Sequence, residues 1–350
     1  MRVFGTCQDL QTDFKLSVDP RLASILTRLF LALMILGTVV LATFGSASAD
    51  SHGPVVVIDI PGKSGSTHEI KAGPDGNLWV TQQKQARLVR VTVSGEVTTF
   101  AMPDGSGPHG LAFDDSGRMW VSLEFSDEIA HIGFDGRILA RYPIPQVVAG
   151  PQGPHGLAVG PDGALWWTGK TGNTIGRLNP TSGLMDVFPL KKTPAKPIYI
   201  TAGSDGNMWF TELEGSRIGR ITAKGEITSF DIPTPDARPI VVFTGPEGKI
   251  WFTEERGNAY GTISSDGTFV EYPTGVDGGK LAGAAFDGAG NLWLQFNSPD
   301  IIQRVAPDQT VTTFKLTSSG AVQHRITLGP EGRMWFTELA TDKVGYIVTE

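Results

Sequence analysis

A single cysteine, Cys7, stands among the 350 residues. Beyond the first few positions there is therefore no thiol, no disulfide and no cysteine metal site, and packing alone must hold the fold. Positive charge is also short: 29 Lys and Arg against 36 Asp and Glu leave a net charge of −7. No basic cluster interrupts that balance, which argues against nucleic acid and anionic membrane surfaces as partners. Long apolar runs are absent apart from Leu29 to Phe44, which follows Arg21 and Arg28 and precedes Ser46-Ala47-Ser48-Ala49. That order is the mark of a secretory signal with an A-x-A cleavage pattern. Residues 1–49 then form a leader, and residues 50–350 form one mature domain in the periplasm or medium, cut near Ala49 and free of the membrane. An uncleaved anchor is the alternative, because the run is about long enough to span a thin bilayer. Removing the leader takes away Arg2, Lys15, Arg21 and Arg28 with Asp9, Asp13 and Asp19, so the mature charge is −8.

What is plentiful is turn chemistry. Gly 44 and Pro 23 accompany an ordinary hydrophobic share of 40%, the composition of a turn-rich all-β protein. The tryptophans give the order. Trp79, Trp120, Trp166, Trp209, Trp251, Trp293 and Trp335 follow one another at steps of 41, 46, 43, 42, 42 and 42 residues, with Trp167 beside Trp166. This period marks propeller blades. Each unit has a Pro-Asp-Gly type turn before the Trp, as in Gly160-Pro161-Asp162-Gly163, and an Ile-Gly-Arg-Ile type segment after it, as in Ile218 to Ile221. Each therefore reads as four short antiparallel strands, and blades of that kind must stack to cover their faces. The last unit lacks a fourth strand, whereas Val55 to Ile60 is a strand without a unit. The spacing predicts an all-β, seven-bladed β-propeller whose ring is closed by the N-terminal strand in the C-terminal blade, with the Trp ring as packing between blades.

Histidine is scarce, yet it is concentrated. Eleven residues before each Trp stand His68, His109, His155, Ile198, Ile240, Ala282 and His324, so four of the chain's six histidines share one slot. In a closed ring these four are neighbours, and the slot falls where each innermost strand begins. They should converge at one mouth of the channel. By hairpin symmetry Glu124 should face His109, and Glu338 should face His324. Imidazole with carboxylate can bind a divalent metal or work as a base with its orienting group. Glu338 also has a structural reading, because Glu212 and Glu254 occupy its position in blades without the histidine. Lys170 stands four residues after Trp166, as Glu124 does after Trp120, and adds positive charge to the same mouth. His52 and His131 lie outside the pattern and read as surface residues.

The repeated Trp-Phe-Thr-Glu (Trp209 to Glu212, Trp251 to Glu254, Trp335 to Glu338), the Ile-Gly-Arg segments and Pro108-His109-Gly110 resemble those of the streptogramin B lyases, the virginiamycin B lyase family, over residues 54–350. The resemblance implies a monomeric seven-bladed propeller that opens a cyclic depsipeptide by magnesium-dependent elimination. It matches His68 to a first histidine, His109 to the base, and Glu124 to the second of two metal-binding carboxylates. Gly107 stands where the family has the first. A linear frame would instead use His324 and Glu338, with Val322 and Gln323 preceding the histidine and Ala282 in the earlier blade. On these grounds the expected function is a metal-assisted carbon–oxygen lyase acting on a small molecule or cyclic peptide, with His155, His324 and Lys170 gripping the ligand. A histidine-rich arc suits Zn²⁺ as well as Mg²⁺. A metal-dependent lactone or ester hydrolase and a non-catalytic periplasmic binding propeller are the alternatives.

Overall fold

The computed structural model describes residues 55–62 and 65–348. The leader, the signal segment with its cleavage near Ala49, Cys7 and His52 lie outside the described residues. Among these residues the chain forms strands β1 to β28 in chain order, arranged as seven four-stranded antiparallel sheets. Six blades are built from consecutive strands. The seventh has the order β1 (Val55–Asp59), β28 (Lys343–Ile347), β27 (Met334–Glu338), β26 (Gln323–Leu328). The strand that precedes the first repeat thus completes the last, with Val55 opposite Ile347 and Asp59 opposite Lys343. Asp342 reinforces this closure. Its carbonyl accepts the Ile60 N–H, while its carboxylate accepts the N–H groups of Gly65 and Ser66 and the Thr67 hydroxyl.

The turn before each Trp explains the repeat in physical terms. Gly163 and Gly206 supply positive φ angles of 70° and 78°, which only glycine adopts without strain. The turn Asp then accepts the indole N–H: Asp75 from Trp79, Asp114 from Trp120, Asp162 from Trp166, Asp205 from Trp209 and Asp287 from Trp293. In the fifth and seventh blades the turns carry Glu247 and Glu331, and the indole nitrogens of Trp251 and Trp335 have no partner. The repeat indoles other than the half-buried Trp251 are sealed between blades. Trp79, for example, packs with Leu88 of its own blade and with Leu111, Met119 and Val121 of the next, and stacks on Phe100 of its blade's fourth strand.

The innermost strands position the site. They are β2 (Thr67–Ala72), β6 (Pro108–Phe113), β10 (Pro154–Val159), β14 (Pro197–Ala202), β18 (Pro239–Thr244), β22 (Lys280–Phe286) and β26. Each carries a β-bulge at the histidine slot. In β2, for instance, Thr67 opposes Gln82 and Ile70 opposes Val80, which leaves His68 and Glu69 facing one residue, Thr81. That residue clamps the bulge. Thr81 Oγ1 accepts the Glu69 N–H at 3.1 Å and donates to the His109 carbonyl of the next blade at 2.9 Å. Ser122 does the same for Gly110 and His155, and Thr168 for Gly156 and Ile198. Thr337 closes the ring by donating to the His68 carbonyl. Only in the sixth blade is a hydroxyl replaced, by Gln295, which donates to the Thr337 carbonyl instead.

Candidate functional site

The four slot histidines meet where the innermost strands begin. Ring centroids lie 3.6 Å apart for His109 and His155, 4.9 Å for His68 and His109, and 4.9 Å for His68 and His324. His109 and His155 are buried, whereas His68 and His324 are half-buried. The two Pro-His-Gly segments have a steric reason. A Cβ on Gly110 would lie 2.2 Å from the His155 carbonyl oxygen, and one on Gly156 would lie 2.4 Å from that of Ile198. Glycine is needed there because the clamped carbonyl of the next blade presses against it. Burial lowers all four imidazole pKa values, that of His68 to about 3, with Arg325 and Lys170 among the positive neighbours that add to the effect. The rings are therefore neutral at pH 7. For His155 the tautomer is fixed as well. Its Nδ1 is 2.9 Å from the Ile198 carbonyl, which can only accept, so Nδ1 carries the proton and Nε2 is bare.

Glu124 joins this group, by a route different from the one expected. Hairpin symmetry places it opposite His109, but the bulge slips the register by one. Leu123 pairs with Pro108, and the Glu124 N–H bonds to the Gly107 carbonyl. The carboxylate still reaches His109 and His155, with their ligating atoms all within 4.8 Å. Both its oxygens are already engaged, Oε1 by Lys170 Nζ at 2.7 Å and Oε2 by Gln83 Nε2 at 2.6 Å. Gln83, Glu124 and Lys170 each stand four residues after their blade's Trp, so three successive blades supply this chain of contacts. Gln83 was not singled out from sequence, although its place four residues after Trp79 is the same signal that marked Lys170. The same slip separates Glu338 from His324. Glu338 pairs with Gln323 instead, is fully buried, and accepts the Thr341 hydroxyl at 2.6 Å. It belongs to neither of the two groups of converging ligating atoms among the described residues, His68/His109/His324 and His109/Glu124/His155, which corrects its expected place as a metal ligand.

Deeper in the channel a second polar group crosses the bore. Tyr199 donates its hydroxyl to Glu69 at 3.1 Å and accepts from Arg325 Nε at 2.5 Å, with the guanidinium 3.7 Å from its ring centre and 3.8 Å from the Glu69 carboxylate. All three are buried. Beyond them, along the later residues of the innermost strands, lies a cavity of about 420 Å³ lined by Phe113, Val159 and Val241, among others.

Magnesium is a poor match for these donors. It takes oxygen ligands in octahedral array, and the cluster offers one carboxylate, already tied to an ammonium. Gly107, with φ at +62°, brings no second carboxylate to it.

Seven four-stranded blades define a β-propeller, and imidazole, carboxylate and ammonium groups gather at one end of its channel. The sequence pattern of the virginiamycin B lyase family matches residues 45–152 and 146–350, and the chain belongs to that family. It is 34% identical to virginiamycin B lyase from Nocardia farcinica over 83 residues, a stretch that spans 23% of this chain and 29% of that protein. A streptogramin B lyase structure superposes with a TM-score of 0.80 at 27% identity, covering 87% of this chain and 100% of the other. A catalytically inactive histidine-to-alanine variant of virginiamycin B lyase from Staphylococcus aureus with quinupristin superposes with a TM-score of 0.78 at 26% identity, covering 85% and 99%.

Proposed function

We propose that this protein is an exported carbon–oxygen lyase that opens a cyclic ester or depsipeptide by elimination. The observation that carries the reading is the close pair His109 and His155, ring centroids 3.6 Å apart, beside the Lys170–Glu124 ion pair. Inactivation of a family member by a single histidine-to-alanine change supports it. His109, common to both groups of converging atoms, takes a proton from the carbon next to a carbonyl. The electron pair left behind forms a C=C bond, and the C–O bond one carbon further on breaks. A carboxylate departs and needs no acid. Negative charge on the carbonyl oxygen is met by Lys170, in a setting where burial strengthens the attraction. His155, its Nδ1–H held by Ile198, presents Nε2 to relay the proton outward. His68, half-exposed, positions the leaving side. The metal step of the family has no counterpart here, because the donors do not suit magnesium.

The test is incubation with a streptogramin B such as quinupristin, followed by mass spectrometry. Elimination gives a linear product of unchanged mass, whereas hydrolysis adds one water. His109→Ala should lower kcat by about 10²- to 10⁴-fold with the product mass unchanged. A product heavier by one water would overturn the elimination, and a His109→Ala protein as active as the parent would overturn the assignment. Tight binding without product would favour the binding-propeller reading, to which the pairing of Lys170 with Glu124 also lends itself.

A further inference from the structure

Three imidazoles from three blades are arranged in a way that elimination does not require. His68, His109 and His324 bring one ring nitrogen each within 4.8 Å of the others. The Nδ1 atoms of all three are buried and have no hydrogen-bond partner, although His109 itself is only 1% exposed. Buried ring nitrogens nearly always find a partner, and one left alone calls for an explanation. Three left alone on neighbouring rings, each of which also brings a nitrogen within 4.8 Å of the others, share one.

We infer that His68, His109 and His324 form an all-nitrogen site for a borderline transition-metal ion of the Zn²⁺ or Co²⁺ type. Around four-coordinate zinc, with ligands at about 2.0–2.1 Å, neighbouring nitrogens sit about 3.3 Å apart. Rings already this close need only small turns about their side-chain bonds. Two of the backbones are held by the clamps that recur round the ring: the His68 carbonyl accepts from Thr337 and the His109 carbonyl from Thr81. Half-exposure of His68 and His324 leaves the fourth position open to water or ligand. The two buried or half-buried positive groups nearby are matched by carboxylates, Arg325 by Glu69 at 3.8 Å and Lys170 by Glu124 at 2.7 Å, and Lys84 is exposed to solvent. Neutral imidazole is what such an ion binds, and ligands of this kind exclude magnesium and calcium. The site does not rest on lyase activity: a His109 held by the ion has no free lone pair to serve as the base, and a protein that turns nothing over can still hold the ion.

The experiment uses the metal alone. Titration of the metal-stripped mature protein with Co²⁺, read by its visible absorption, should show one site, displaced by Zn²⁺ and untouched by millimolar Mg²⁺. His68→Ala and His324→Ala should each weaken Kd by roughly a hundredfold or more, since loss of a ligand outweighs the 10–100-fold typical of its outer partners. His131→Ala, which stacks on Trp120 far from the slot, should leave Kd unchanged, and circular dichroism confirms that each variant is folded. Absence of a one-to-one Co²⁺ complex at micromolar concentration would overturn the inference. So would folded His68→Ala and His324→Ala proteins with the parent Kd. A loss on Glu124→Gln as large as on His324→Ala would place the ion on His109, Glu124 and His155 instead, and would overturn the all-nitrogen site.

Discussion

Glu212 and Glu254 occupy the same place in neighbouring blades, yet their surroundings differ. Glu212 is answered by Arg217 at 2.7 Å and by the Ser229 hydroxyl at 2.5 Å. In the next blade the register puts Ala259 where Arg217 stood and Glu271 where Ser229 stood. Glu254 is buried, and burial together with the neighbouring Glu271 raises its pKa to about 8. The folded state therefore holds a proton that the unfolded chain releases near 4.5. The contribution to stability is complete below pH 4.5 and is lost as pH rises through 8. Glu254→Gln, which cannot ionise, should gain stability over the parent between pH 5 and pH 8.5, by on the order of 1 kcal/mol or more. The difference between the two proteins in urea denaturation isolates this group from the histidines. A difference that stays constant with pH would show that Glu254 is ionised in the fold.

Among the elements, the seven hairpins and their order were legible in the sequence because each is specified locally, by a turn glycine and a Trp and, in five of the seven, by a turn aspartate that binds the indole. So was the polar arc, since one slot counted back from each Trp collects four histidines. The bulge was not. It adds a residue to one strand of the hairpin and no residue type announces it, so symmetry about the turn set Glu124 opposite His109 instead of Gly107 and Glu338 beside His324 instead of Gln323. The hydroxyls that hold it, Thr81, Ser122, Thr168 and Thr337, stood in plain view two residues after each Trp, but their carbonyl partners lie one blade away. Tyr199, Glu69 and Arg325 were invisible for the same reason, being more than a hundred residues apart in sequence. The closing strand belongs to this scale too. Deleting residues up to 62 removes β1 and leaves the β28 edge unpaired, together with the N–H contact of Ile60 to Asp342. Such an edge templates association between chains. Size-exclusion chromatography should show aggregates, and a soluble truncation of full stability would refute the role given to β1.

At the scale of the whole molecule, the family, the propeller and the polar end of its channel form one argument. A ring of repeats is nearly symmetric, so function must come from breaking the symmetry, and here it is broken at the slot and at the residues beside it, Gln83, Glu124 and Lys170 four positions after each Trp among them. His324, His68, His109 and His155 make one continuous side; Ile198, Ile240 and Ala282 make the other. The two sides share the same bulge and, but for Gln295, the same hydroxyl clamps, so the scaffold was kept while the contents changed.

The closure by β1 has one more consequence. His324 and His68 flank the seam at which the ring opens, so anything bound by both spans the one joint that the chain itself does not cross. A bound ion would act there as a clasp. Opening of the seam would have to break it, and its binding free energy would be added to the stability of the ring, about 2.7 kcal/mol at a concentration a hundred times Kd. The unfolding of the propeller should then slow on adding Zn²⁺, and His324→Ala should abolish that slowing while Ile198→Ala, on the apolar side, retains it. Stopped-flow unfolding in guanidinium would read the effect directly. The seam, ordinarily the weak point of a circular fold, would in this protein be a place where ligand concentration sets how long the ring stays shut.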